Sequence, residues 1–331
     1  MADQDAPNPA RPAPWKKFAL VAGGLALVFV WPLLRLARFA ANDDFHSYLL
    51  LIPLVSAYLI WLEKKNLPPA FAGPEPGGAN PASTGRAQPA NAVGEATARR
   101  RPVSAPAKKT AALFFAGGLA VAAWHCFTPR LVIADSLAQT TLAFLLLLTG
   151  AGFWILGGAW MRALAFPFAL LAFMIPLPEA LHAAIETGLQ HGSAVAAGWM
   201  LAVSDVPVLQ SGLAFRLPGV NLQVAPECSG IHSTMVLFIT SLVAGKFFLR
   251  RPWRRAVLCL AVLPLALLRN GFRIFVIGEL CTHIGPEMLD SPIHRHGGPL
   301  FFVLSLLPFF LLLYGLKKTE RPENLPTKKI T

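Results

Sequence analysis

Residues 256–278 read AVLCLAVLPLALLRNGFRIFVIG, a run of 23 residues whose only charges are Arg269 and Arg273. About 20 mostly apolar residues are enough to cross the hydrocarbon core of a bilayer as a helix. The run therefore predicts a membrane-spanning helix that carries two arginines. Ionisable side chains inside a span are energetically costly, and they mark a functional site by default.

Seven other stretches have the same apolar character, so the chain is predicted to be an all-α polytopic membrane protein with about eight transmembrane helices. The first stretch follows Lys16 and Lys17 and has no small-residue cleavage site, so we expect it to be retained as a span. The eight predicted spans are 18–36, 45–62, 111–128, 137–157, 161–177, 229–247, 256–278 and 299–316.

The composition agrees with a membrane protein. Of the 331 residues, 55% are hydrophobic and 14% are charged, and the mean hydropathy is +0.54, whereas a soluble domain has about 25% charged residues. These values exclude a disordered chain, a secreted disulfide scaffold and an ordinary cytosolic enzyme. The four cysteines form no CxxC pair and have no metal-type spacing, so we expect neither a metal nor a cofactor.

The net charge of +12 is compatible either with nucleic-acid binding or with cations held on one side of a membrane. If the N-terminus lies inside and the spans alternate, 22 of the 29 Lys and Arg residues fall on the cytoplasmic side. This excess predicts an N-in, C-in topology by the positive-inside rule. Because the cations are dispersed over several loops, we expect membrane lipids as partners and no nucleic acid.

Two stretches between the spans have a different character. Residues 66–109 are rich in Pro, Ala and Gly, which predicts a disordered cytoplasmic loop. The predicted outer segment 178–226 divides into one or two helices over 178–205, which lie at or dip into the outer interface, and a short β-hairpin over 206–225. The predicted organisation is a tail (1–17), two spans (18–62), the loop (63–110), a catalytic membrane core (111–316) and a basic tail (317–331).

This topology brings three chemically active residues to one membrane level. Cys228 precedes span 229–247, His294 precedes the last span, and Arg273 lies about five residues, or roughly 8 Å, below the outer end of its span. The three support acyl transfer: a thiolate attacks, a histidine moves the proton, and an arginine stabilises the thiolate or the oxyanion. Auxiliary candidates are Arg269 one turn deeper, His232 four residues after Cys228, His296, and His46 at the outer end of the second span.

Each candidate also has a structural explanation. Arg273 can extend to the outer headgroups, Arg269 can satisfy backbone carbonyls, and His46 can anchor the interface. Glu227 is a poor activator, because a negative charge beside a thiol raises its pKa. The other cysteines, Cys126, Cys259 and Cys281, are interpreted as small hydrophobic residues.

Five stretches, in order along 45–302, resemble the exosortase/archaeosortase family of multi-pass membrane cysteine transpeptidases. In this resemblance Cys228 is the nucleophile, Arg273 is the arginine of an NxxR motif, and His294 is the third residue, a histidine as in the bacterial branch. The stretches are FHSYLLLIPLVSAYLIW (45–61), FMIPLPEAL (173–181), LPGVNLQVAPECSGIHS (217–233), LRNGFRI (268–274) and HRHGGPLFF (294–302).

The resemblance implies an exosortase-type thiol protease or transpeptidase of the cell inner membrane, with its site facing the periplasm. Its substrates would be exported proteins with a C-terminal sorting tail (PEP-CTERM) that combines a Pro-Glu-Pro motif, a transmembrane helix and a basic cluster. Cleavage through a thioacyl intermediate would precede transfer to a surface or exopolysaccharide-linked acceptor. The chain departs from the family in its long 66–109 loop and in His232, which is a second candidate base.

Two other classes of protein remain open from the residues themselves. A quinone-linked thiol oxidase would need a reactive cysteine pair, and the sequence has no closely spaced pair. A polytopic transporter with a buried arginine pathway would be expected to show inverted repeats, and no internal repeat is visible in the sequence.

Overall fold

A computed structural model describes residues 14–43, 45–64, 67, 106–128, 132–204, 206–225, 229–291 and 297–320. The chain divides into two compact units, Met1–Pro178 and Glu179–Thr331. Cys228, His294 and His296, as well as most of the predicted loop 66–109, lie outside the described residues.

The first unit is helical in its described part. Its helices over Lys108–Phe127 and Ile133–Ile155 pack closely. Gly118 allows this approach, because a Cβ there would lie only 2.8 Å from the Leu147 side chain. The elements are α1 (Pro14–Val28), α2 (Val30–Asn42), a 3-10 helix (Phe45–Leu50), α3 (Leu51–Glu63), α4 (Lys108–Phe127), α5 (Ile133–Ile155), α6 (Gly157–Ala163), α7 (Ala165–Leu171) and a second 3-10 helix (Ala172–Met174).

Two of the predicted spans are bent helix pairs. The chain turns by 73° between α1 and α2 and by 70° between α6 and α7. In each pair the first helix ends four residues before a proline: Val28 before Pro32, and Ala163 before Pro167. A proline lacks the N–H that would bond to the carbonyl four residues earlier, and its ring clashes with that carbonyl. The predicted spans 18–36 and 161–177 therefore each contain a break.

The second unit combines four helices with a small sheet. The sheet is an antiparallel meander in the order β1-β2-β3, with turns at Gly212 and Gly219, both at positive φ. The predicted hairpin over 206–225 thus has one strand more than expected. The elements are α8 (Glu179–Val203), β1 (Leu209–Ser211), β2 (Ala214–Leu217), β3 (Val220–Gln223), α9 (Ile231–Phe248), α10 (Pro252–His283), a 3-10 helix (Pro286–Asp290) and α11 (Gly298–Lys318).

Helix α8 packs lengthwise against α10. A Cβ on Gly271 would lie 2.7 Å from the Ala196 side chain, and a Cβ on Gly192 would lie 2.7 Å from the Leu267 side chain. The glycines allow this close approach. One helix, α8, therefore occupies Glu179–Val203 of the predicted segment 178–205, and its packing along α10 favours a helix that dips into the membrane.

The sheet is held against α8 and α10 by an apolar cluster. Phe215 at the centre of the sheet has no exposed surface, and burying a phenylalanine contributes about 2 kcal/mol. The cluster fixes β3 against the half of α10 that carries Arg273. Its buried members are Ala194, Ala197, Leu201, Val206, Phe215, Leu217, Val220, Leu222, Val224, Ile274, Ile277 and Cys281.

The described helices confirm an all-α polytopic membrane protein. Six of them are long and apolar enough to cross a membrane, and the two bent pairs raise the number to eight. Helix α10 runs to His283, five residues past the predicted end. Arg273 therefore lies ten residues, or about 15 Å, before the end of the helix, and its depth below the outer membrane surface stays a prediction. The N-in, C-in orientation stays a prediction.

Candidate active site

A cleft of about 340 Å³ opens in the second unit at the start of α9, the middle of α10 and the start of α11. His232 and Arg273 both line it, so two of the predicted site residues meet at one cavity. The cleft also adjoins the two sequence positions that matter most, because Gly230 follows Cys228 by two residues and Gly298 follows His294 by four. The lining residues are Gly230, His232, Ser233, Val236, Arg273, Gly298, Pro299 and Phe302.

Gly230 lines this cleft and is the N-cap of α9. Its backbone is left-handed, with φ of 69°, a conformation that a residue with a Cβ adopts at a cost. A Cβ there would also lie 2.8 Å from Nη2 of Arg269. The glycine that follows Cys228-Ser229 is thus required both by the backbone and by the arginine packed against it.

Arg269 binds the start of α9. Its Nη2 donates to the Gly230 carbonyl at 3.2 Å and to Oγ1 of Thr234 at 3.4 Å. The same carbonyl accepts the backbone N–H of Thr234 at 3.0 Å and its hydroxyl at 2.8 Å. Arg269 thus donates to a backbone carbonyl, which is the structural role that its position in the sequence allowed. It connects α10 to the turn that directly follows Cys228.

Asn270 and Gly271 connect the same part of α10 to α8. Nδ2 of Asn270, which is 3% exposed, donates to Oγ of Ser193 at 3.1 Å. Gly271 lies where α8 and α10 approach most closely. The stretch LRNGFRI therefore holds three helices together, and this packing orients Arg273 toward the cleft.

The electrostatics of the cleft favour an anion. The residues that line it in the described part of the chain include no carboxylate. Arg269 and Arg273 lie one turn apart on α10, and Nη1 of Arg269 is buried without a hydrogen-bond partner in the described part of the chain. Two neighbouring guanidinium groups stabilise a thiolate or a developing oxyanion more strongly in a poorly hydrated site than in water.

Arg273 lines a second, smaller cavity as well. This cleft has a volume of about 240 Å³ and lies between β3 and α10. Arg273 is half-buried and forms part of both cavities. The guanidinium therefore stands where a groove along the sheet meets the cleft at the start of α9.

His46 lies in the first unit, where its described contacts are local. It is 5% exposed, its Nδ1 lies 2.8 Å from Oδ2 of Asp43, and its ring packs on Phe39 with centroids 4.6 Å apart. Partial burial would raise the pKa of Asp43, but hydrogen bonds from His46 and from the Phe45 backbone outweigh it and lower that pKa. These contacts anchor the 3-10 helix, and a role for His46 at the site stays a prediction.

Cys228, Glu227, His294 and His296 lie outside the described residues, so their predicted roles are unchanged. The sequence did not predict three residues that contact Arg269 or Asn270, namely Gly230, Ser193 and Thr234. The only local signal was the Ser229-Gly230 dipeptide before an apolar run, which is typical of a turn that begins a helix.

The three described cysteines are not paired with one another. Cys281 is buried in the apolar cluster beneath the sheet, and Cys259 lies 3.4 Å from the Ser241 hydroxyl, which donates to its sulfur. Among the residues that the structure describes, no group of three or more His, Cys, Asp or Glu could hold a metal ion.

Comparison with protein families supplies an independent line of support. The chain matches the model of the transmembrane exosortase family over residues 40–311. Neither the curated proteins nor the solved structures with which it was compared give a match. The family match covers most of the chain, including α9, α10 and the start of α11 that form the cleft, and the chain therefore belongs to the transmembrane exosortase family.

Proposed function

We propose that this chain is a cysteine transpeptidase that cleaves the C-terminal sorting tail of exported proteins through a thioacyl intermediate on Cys228. Membership of the exosortase family supports a membrane-embedded protein-sorting transpeptidase. The nucleophile, the intermediate and the identity of the tail are the parts that we propose.

The main support for the proposal is the cleft at the start of α9. The cleft lined by His232 and Arg273 has its rim at Gly230 and Gly298, next to the sequence positions of Cys228 and His294. A nearby cation helps a cysteine to ionise at neutral pH, and Arg273 lines this cleft, with the buried Arg269 one turn before it on α10. No acidic side chain lines the described part of the cavity to oppose them.

In the proposed reaction, the Cys228 thiolate attacks the scissile carbonyl carbon, and an S–C bond forms as the carbonyl oxygen becomes negative. Arg273 stabilises that oxyanion. The intermediate collapses, the C–N bond breaks, and His294 delivers the proton to the leaving amine. An acceptor nucleophile then attacks the thioester, His294 takes its proton, and Cys228 leaves as a thiolate.

The proposed substrates are exported proteins that end in a Pro-Glu-Pro motif, a transmembrane helix and a basic cluster. The charge pattern of the chain is compatible with such a tail, because the predicted N-in, C-in topology would put the start of α9 and the end of α10 on the outer face of the inner membrane. We propose that the acyl group passes to a surface or exopolysaccharide-linked acceptor.

The experiment is co-expression with a tagged protein that carries such a tail, followed by measurement of its mass in isolated membranes. Cys228→Ala and Cys228→Ser should leave the tail uncleaved while the protein still inserts. The matched control replaces Cys126, Cys259 and Cys281 together with alanine, and it should process the tail at close to the wild-type rate. Normal processing by Cys228→Ala would exclude Cys228 as the nucleophile. Loss of processing in the triple variant alone would favour thiol oxidation.

A further inference from the structure

Strand β3 forms one edge of the three-stranded sheet. Strand β2 lies in the middle, and no further strand pairs with β3 within the described residues. Its side chains alternate: Val220 and Leu222 are buried, whereas Asn221 and Gln223 are exposed. A free edge presents a row of backbone donors and acceptors to which another extended chain can bind.

The register shows which backbone groups are free. The Val224 N–H donates to the Leu213 carbonyl at 2.9 Å, on the side of β2. The direction of backbone N–H and C=O groups alternates along a strand, so the groups of Leu222 also face β2. The N–H and C=O groups of Asn221 and Gln223 therefore face away from the sheet.

These outward groups border the 240 Å³ cleft. Its opposite wall is the apolar face of α10 that presents Ile274 and Ile277, and Leu289 lies on its rim. Arg273 is the only charged residue that lines it in the described part of the chain. The cleft thus combines a row of backbone hydrogen-bonding groups, an apolar wall and one cation.

We propose that the substrate segment beside the scissile bond binds in this cleft as a fourth strand on the free edge of β3. The proposal rests on the proposed function, because the occupant is the polypeptide that Cys228 attacks. Strand addition supplies affinity from main-chain hydrogen bonds and specificity from alternate side chains.

Two features of the site select an extended peptide as the occupant. An acyl chain of a lipid would fill the apolar wall but would make no hydrogen bond with the outward N–H groups of Asn221 and Gln223, whereas an extended peptide would bind both. The single positive charge complements a peptide that presents carbonyl or carboxylate oxygens to Arg273. Lipid occupancy is therefore the alternative that the test must exclude.

The chain path supports the same occupant. Strand β3 leads within five residues to Cys228, and Arg273 borders both the strand cleft and the cleft at the start of α9. A peptide of four residues paired with β3 extends for about 13 Å. It would run beside Arg273, which also lines the cleft at the start of α9.

The first test removes one outward donor. Asn221→Pro deletes an N–H that β2 does not use, and proline is tolerated on strand edges. We expect the KM for a synthetic sorting-tail peptide to rise about fivefold, the effect of one hydrogen bond, with kcat changed less. The matched control is Gln210→Pro on β1, because Gln210 pairs with Phe215 and its N–H also faces away from the sheet; there the KM should stay at the wild-type value. A KM unchanged in Asn221→Pro, or raised equally in both variants, would overturn the proposal.

The second test leaves the protein unaltered, so it does not depend on folding of a variant. Each amide of the sorting-tail peptide is replaced in turn by an ester, and the KM is measured with the wild-type protein in detergent micelles. Strand addition predicts that the KM rises about fivefold at alternate positions only. If the peptide is cleaved but its KM does not alternate with the ester position, as lipid occupancy of the cleft would produce, strand addition is wrong and the proposed function is unaffected. Absence of cleavage of the unmodified peptide by wild type overturns the proposed function instead.

Discussion

The two ends of helix α10 both carry arginines, but they use them differently. At its first turn, Arg254 is buried and donates to the carbonyls of Leu316 at 2.6 Å and Thr319 at 3.0 Å, at the end of α11. Toward its other end, Arg273 lines two cavities. Arg254 and Arg269 each keep one buried nitrogen without a hydrogen-bond partner in the described part of the chain, so the two ends differ in the cavities and not in orphaned nitrogens.

A structural cation in a membrane helix thus differs from a functional one in what surrounds it. Arg254 neutralises the carbonyl end of a neighbouring helix, where a positive charge is favourable, and no cleft depends on it. Glu320 completes this arrangement by accepting the N–H groups of Arg250 and Arg251 at 3.0 and 3.2 Å. Arg273 instead lines two cavities, where its positive charge borders the space that a substrate can enter.

The largest effect is expected when arginine is replaced by lysine at Arg273, and the same replacement at Arg254 is its control. Arg273→Lys should lower the kcat/KM for tail cleavage by about 100-fold, because lysine lacks the planar fork that binds an oxyanion at two points. Arg254→Lys should change kcat/KM less than threefold per folded protein. The measurement is the processing rate in membranes with equal amounts of inserted protein. Equal loss of activity in both variants would make Arg273 another structural cation.

Gly230→Ala should have the next largest effect. The left-handed backbone makes the alanine unfavourable by about 1 kcal/mol, and the new Cβ displaces Arg269 from the Gly230 carbonyl. We expect processing to fall about tenfold and the thermal unfolding temperature to drop. The matched control is Gly188→Ala on α8, where nothing lies within 4 Å of the added Cβ and helix propensity rises. Wild-type activity in Gly230→Ala would separate this turn from the reaction.

Arg254→Gln should act on stability alone. Arg254 is 6% exposed, so its loss leaves two helix-end carbonyls without a donor, at a cost of about 2 kcal/mol in the free energy of unfolding. The control is Arg250→Gln, since Arg250 is exposed and its hydrogen bond to Glu320 comes from its backbone N–H, and surface changes are usually within about 0.5 kcal/mol. Denaturant unfolding in detergent measures both, and equal stabilities would contradict the capping role.

The smallest effect is expected from Glu320→Gln. Desolvation would raise the pKa of Glu320, but hydrogen bonds from the Arg251 and Arg250 backbone and the nearby arginine charges outweigh it and lower that pKa. A lowered pKa means that the carboxylate stabilises the folded state above its ordinary value of 4.5 and loses this contribution as the pH falls through the lowered pKa. The variant should therefore be slightly less stable than wild type at pH 7 and equal to it in strong acid. A difference that persists in strong acid would contradict this account.

Hydropathy predicted where the helices are but not where they bend. The eight predicted spans all coincide with helices, because apolar length is a local property. Pro32 and Pro167 end helices four residues earlier, whereas α10 continues past Pro264. Neighbouring helices decide whether a proline breaks a span. A local sequence pattern does not show which helices will be the neighbours.

The candidate site was predictable to a similar extent. The spacing of Arg269 and Arg273 placed both on one helix face, and the topology brought His232 to the same level. The bond from Arg269 to the Gly230 carbonyl was not predictable, since it joins residues 39 positions apart and depends on a left-handed turn. Arg273 also lies farther from the end of its helix than expected, because α10 continues past the predicted end of the apolar run to His283.

The most direct test is to trap the acyl group on Cys228. Purified protein is mixed with a sorting-tail substrate, quenched in acid, digested and analysed by mass spectrometry. The account predicts that the peptide containing Cys228 gains the mass of the substrate part upstream of the cleaved bond, and that hydroxylamine removes it. Cleavage of the substrate with the acyl group on another residue, or with Cys228 unmodified throughout the time course, would contradict it.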